Sequence, residues 1–185
     1  MSRLTAYLII PLITVLFSMD GNWFTSNFSV IGSQMEKQER FVFWGLAVGL
    51  YFYWAMRKIF ALIALKTEKP PKGAWLVPLA LVLLTFALTT PYLPGQFPLK
   101  AFLHVIFAFV SALCLIGAML LAAWSLYRQN PEKYRPFLLF LAGIMSFSLI
   151  LLWLCGIVSS ALEVCFIISS AILVQKLYES CREPF

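Results

Sequence analysis

Residues 101–127 read AFLHVIFAFVSALCLIGAMLLAAWSLY, 27 positions without an Asp, Glu, Lys or Arg. As a helix this run is about 40 Å long, more than the ~30 Å hydrocarbon core of a bilayer. Its few polar groups cannot wet one face, so the run is at home in lipid, where a helix satisfies its own backbone hydrogen bonds. Five more apolar stretches come close to spanning length: 4–19, 41–65, 74–92, 137–154 and 158–177. The expected fold is therefore all-α: one polytopic transmembrane domain over 1–185, a bundle of six transmembrane helices. The whole chain agrees, being 62% hydrophobic and 12% charged with a mean hydropathy of +0.88. Soluble domains carry roughly twice that share of charge.

Working outward, residues 4–19 have the look of a signal-peptide core. Phe17-Ser18-Met19-Asp20 offers no small-x-small cleavage site, so a retained first helix is expected. Stretches five and six meet at Cys155-Gly156-Ile157, where the glycine and the combined length favour a tight hairpin over one long helix. With the N-terminus inside, the inner side collects Arg3, Arg57, Lys58, Lys66, Lys69, Lys72, Arg128, Lys133, Arg135, Lys176 and Arg182, 11 of the 14 basic residues. Only Lys37, Arg40 and Lys100 fall outside. This asymmetry is the positive-inside pattern, and it puts both termini in the cytoplasm of a multi-pass protein of the plasma or inner membrane. Trp23, Trp44, Tyr92 and Trp153 fall near the outer interface, and Trp75, Trp124, Tyr127 and Tyr178 near the inner one, as aromatic belts.

The same distribution excludes other classes. A net charge of +6 spread over short loops is not a nucleic-acid patch, and no nucleic-acid partner is expected. The four cysteines lack metal or redox spacing. One histidine with no nearby thiol rules against a metal, and no cofactor is expected. No phosphate loop, zinc-protease helix or nucleophile elbow is present.

The residues that stand out lie toward the outer side. Glu163 is the one acid inside a membrane run, and such a group is costly unless paired or wetted. Ser159, Ser160, Glu163, Ile167 and Ser170 form one stripe expected to face the bundle. His104 is the sole histidine, at nearly the depth of Glu163, and heads a stripe of small residues, Ala108, Ser111, Ala118 and Ala122. Either a structural hydrogen bond between the two or a functional pair fits these facts. Asp20, Glu39 and Arg40 stand at the outer ends of helices one and two, where they solvate helix ends or grip a lipid phosphate. Between them, residues 20–40 make the one loop with much content, including Asn27 and Ser29. Asn27-Phe28-Ser29 is also a glycosylation sequon, relevant only in a eukaryote. Gly45-xxx-Gly49 marks close helix packing and offers a homodimer face.

Three places carry a family likeness. They are Asn27-Phe28-Ser29-Val30-Ile31-Gly32 leading to Glu39-Arg40-Phe41-Val42-Phe43, then Leu103-His104-Val105-Ile106-Phe107-Ala108, and Ser160-Ala161-Leu162-Glu163. In these, and in the order of its elements, the chain resembles the DRAM/Sfk superfamily of six-helix membrane proteins. Phe28-Ser29 stands where that family favours Ile-Ser, and the loop has no cysteine pair. The resemblance implies a six-helix bundle associated with lipids and singles out Arg40, His104 and Glu163, without supplying a reaction.

The expected function is binding or sensing of a membrane lipid in an outer-leaflet polar pocket lined by Asp20, Arg40, His104 and Glu163, with Asn27 and Ser29 in its lid. Its partners would be membrane lipids. The alternatives are a lipid-modifying enzyme with Glu163 and His104 as acid and base, a small proton-coupled transporter, or a scaffold without ligand. No motif decides whether the chain is an enzyme.

Overall fold

The computed structural model describes residues 2–67 and 71–183. Lys69, one of the cations expected on the inner side, lies outside them. Among the described residues every element is helical: α1 Thr5–Ser18, α2 Phe28–Gly32, a 3-10 turn Met35–Lys37, α3 Gln38–Thr67, α4 Leu76–Thr89, α5 Pro98–Tyr127, α6 Pro131–Cys155 and α7 Ser160–Arg182. The helix through Met35–Thr67 and helices α5, α6 and α7 are long and apolar enough to cross a membrane, as in a multi-pass membrane protein. The first and third expected spans are shorter. Helices α1 and α4 run 14 residues each, about 21 Å.

Local chemistry sets these boundaries. Asn27, Asn130 and Ser159 cap α2, α6 and α7, their side-chain oxygens accepting from Val30, Lys133 and Leu162 N–H. Asn130-Pro131-Glu132 thus starts α6 six residues earlier than hydropathy alone suggests, with proline where its missing N–H costs nothing. The first turns of α1, Thr5–Ile9, are π-helical. Pro11 has no N–H for the Tyr7 carbonyl, and Ile10 N–H reaches one residue further back, to Thr5. At the other end of the chain Gly156 ends α6 at φ +69° and turns it into α7, the expected hairpin.

Helix α3 is the hub, packing against α1, α4, α5 and α7, while α4, α5, α6, α7 and α1 follow one another around it. A side chain added at Gly45 or Gly49 would run into Leu88 and Leu84 of α4. The small-xxx-small face is therefore filled within the chain, as the close helix packing expected of it. The α5 stripe of His104, Ser111, Ala118 and Ala122 is buried against its neighbours, and Ser111 Oγ donates to the Ala80 carbonyl at 2.7 Å. The opposite faces of α5 and α6 stay bare, with Phe102, Phe109, Phe147, Ile150 and Trp153 exposed. In water so large an apolar surface would aggregate, whereas lipid covers it without penalty.

Both chain ends lie at one end of the bundle. Arg3 Nε sits 2.8 Å from Glu179 Oε1, and Lys133 Nζ lies 3.6 Å from Glu183 Oε2. The opposite end holds the turn after α4, the α6–α7 hairpin and the loop carrying α2. Lys37 and Arg40 are at that second end, both paired with Asp20. Of the expected belt residues, Trp44 departs: it is buried, its ring stacked on Phe17 and its indole N–H donating to Thr14 Oγ1. A tryptophan on the α3 face that meets α1 has no route to an interface.

Candidate functional site

The site is built around α2, a five-residue helix inside the loop expected over 20–40. Phe28 at its start is 1% exposed and plugs the end of the bundle. Its ring meets Trp44 edge-on at 4.6 Å and Phe17 at 5.2 Å, while Phe41 stacks on both of those partners. Burying a phenylalanine is worth about 2–3 kcal/mol, and each aromatic pair adds about 0.5–1.5 kcal/mol. Gly32 lies on the Phe41 ring so closely that a Cβ there would collide with it. The segment before α2 is tied to the start of α7, whose Ser160 and Ala161 N–H donate to the Ser26 and Trp23 carbonyls at 2.7 and 2.8 Å. These two donors would otherwise be unpaired in the first turn of α7.

Glu163 and His104 each grip α2, on consecutive residues. Glu163 Oε2 accepts from the Phe28 N–H at 2.7 Å. His104 Nε2 lies 2.7 Å from Ser29 Oγ, and its Nδ1 lies 2.8 Å from the Ala87 carbonyl and 2.9 Å from that of Thr90. Carbonyl oxygens only accept, so Nδ1 carries a proton, and in the neutral ring Nε2 is left to accept from the Ser29 hydroxyl. Residue 91, which would close the usual helical hydrogen bond to the Ala87 carbonyl, is proline, so that oxygen accepts from Thr90 N–H at 3.2 Å and has its second lone pair for the histidine. Pro91 thus both ends α4 and leaves room at the acceptor that orients His104.

A cavity of about 80 Å³ lies beside this pair, with room for several water molecules. Ser29, His104, Gln38, Thr90 and Tyr92 give it polar walls, and Phe41, Leu88 and Leu93 apolar ones. Of the six residues expected to form one pocket, only His104 and Ser29 line it. Glu163 stands on the other side of α2, and among the described residues its side chain's one hydrogen bond is the one to Phe28. The expected His104–Glu163 contact is absent there, because α2 lies between the two helices that carry them. Asn27 spends its side chain on the cap of α2, accepting from Val30 N–H at 2.8 Å. Arg40 is 72% exposed and 3.8 Å from Asp20 Oδ2, a solvent-side pair worth under about 1 kcal/mol.

Gln38 and Thr90 were not singled out from sequence, and Tyr92 was expected only as an outer-belt aromatic. Each follows or precedes a helix end, where a polar residue is unremarkable, and only the fold brings them together. The available clues were Asn27 as a cap and Pro91 as a terminator, both readable once the helix boundaries are right. Among the described residues no group of three His, Cys, Asp or Glu side chains fits a metal ion. No family model, curated protein or solved structure matches the chain.

Proposed function

We propose that this chain is a six-span membrane protein with both termini in the cytoplasm, and that it binds a membrane lipid by its headgroup in the cavity between α2, α4 and α5. The observation that carries the reading is a polar cavity, holding an oriented imidazole and a hydroxyl, at the end of a bundle whose flanks are otherwise apolar. The cavity's volume suits a headgroup fragment, with the acyl chains left in the bilayer. The gathering of most cations at the end carrying the termini supports the orientation. Helices α1 and α4 then span by drawing their flanking residues to the interface or by thinning the bilayer locally.

Kinship with the DRAM/Sfk superfamily remains part of this proposal. It is supported by the way the three stretches that carry the likeness converge on α2. In this account Arg40 and Asp20 act at the rim, and Glu163 with Asn27 holds the lid formed by α2. The test is native mass spectrometry of the protein extracted gently from its own membrane, beside its H104Q variant. The account expects one lipid class retained by the wild type and lost by a variant that is still monodisperse. Equal, unselective lipid on both forms would contradict it.

A further inference from the structure

We infer that Ser29 and His104 form a nucleophile–base pair that cleaves an ester-linked acyl lipid. The inference rests on the lipid-binding reading of the same cavity. Three helical or turn serines in this chain return their proton to backbone three or four residues back: Ser18 to Val15, Ser33 to Val30 and Ser125 to Leu121. Ser29 does not. The Ser26 carbonyl, three residues back, is taken by both the N–H and the hydroxyl of Ser160. The Ser29 hydroxyl turns instead to His104 Nε2 at 2.7 Å.

The histidine is set for the role of base. With Nδ1–H held by two carbonyl oxygens, the lone pair of Nε2 points at Ser29, and the same carbonyl dipoles stabilise the imidazolium formed when it takes a proton. A base oriented in this way by a third group, with its nucleophile in hydrogen-bond reach, is the arrangement that acyl transfer requires. The ring is 2% exposed, packed near Phe41 and Tyr92, so the base is shielded from bulk water while Ser29 stays open to the cavity. The cavity's apolar walls suit the first carbons of an acyl chain, and Gln38 and Tyr92 supply donors for a developing oxyanion.

In the step proposed, Ser29 Oγ bonds to the acyl carbonyl carbon as its proton passes to His104 Nε2. The carbon–oxygen bond to the lipid alcohol then breaks, and Nε2 returns the proton to that leaving oxygen. Water attacks the acyl-serine with His104 again as base, releasing a fatty acid and restoring the Ser29 hydroxyl. Glu163, on the far side of α2, has no part in this chemistry, so of the alternative acid–base pair Glu163 and His104 only His104 keeps its role.

The experiment is labelling of the full-length protein in lipid nanodiscs with an alkyl fluorophosphonate, with the adduct mapped by peptide mass spectrometry. Retained lipid is measured on the same samples. The expected result is an adduct on Ser29, absent in S29A and formed at least about 100-fold more slowly in H104Q, the usual contribution of a general base. Should either variant misfold, the position of the wild-type adduct still decides. A wild type that retains lipid but leaves Ser29 unmodified, or is modified elsewhere, overturns the hydrolase and spares the lipid site. Loss of both signals overturns both.

Discussion

Glu163 looks from sequence like a charge waiting for a cation or a substrate, yet its carboxylate holds a backbone N–H. That is a task for an acceptor of any charge. E163Q keeps a carbonyl oxygen in place and is expected to unfold within a degree or two of the wild type. E163A leaves the Phe28 N–H buried without a partner and should cost about 1–3 kcal/mol. Differential scanning fluorimetry of both variants in one detergent separates the two outcomes; a large loss in E163Q would mean that the negative charge itself matters. His104 and Glu163 stood out from sequence because ionisable groups inside an apolar run are conspicuous. Their partners did not. Backbone groups are invisible to motif reading, and the Ala87 carbonyl that orients His104 lacks its usual helical donor because of Pro91, 13 residues away.

At the scale of elements, the short helix α2 is the part that hydropathy could not supply. Five residues give no periodicity to read, and the segment's order comes from the Asn27 cap, the Phe28 plug and two borrowed donors from α7. N27A is expected to lose about 1 kcal/mol through its cap. F28A empties the aromatic box and should cost about 3 kcal/mol or more. Hydrogen exchange over residues 26–33 checks this: faster exchange in F28A confined to that stretch, with α3 and α5 unchanged, is the expected pattern. The long helices were legible because a membrane-length apolar run has few alternatives. Their ends were less so, since Asn130-Pro131 and Ser159-Ser160 act through capping geometry that hydropathy does not record. Trp44 illustrates the same limit. Its depth was readable, but its facing depended on which helix lay beside α3.

For the whole molecule, the account predicts that the end bearing α2 faces away from the cytoplasm. Gly95 lies in the exposed turn between α4 and α5, with open space around it. A G95C variant should react with a membrane-impermeant maleimide from outside intact cells, whereas R128C at the opposite end should react only after permeabilisation. The reverse pattern would invert the topology and place the cavity in the inner leaflet. Counting spans assigns each cation a side, and among the described residues Arg3 and Lys133 fall at the end carrying the termini while Lys37 and Arg40 fall at the other. The pairing of helices was not, since six apolar rods pack in many orders and only side-chain size, as at Gly45 and Gly49 against Leu88 and Leu84, selects one.

The most direct test of the lipid site is photocrosslinking from its wall. Tyr92, which lines the cavity, is replaced by p-azidophenylalanine, as is Trp153, which is 82% exposed on the bundle's flank. Both proteins are irradiated in their native membrane and the adducts identified by mass spectrometry. The account predicts one dominant lipid class captured from position 92 and the bulk lipid mixture from position 153. The same mixture captured from both positions would contradict it.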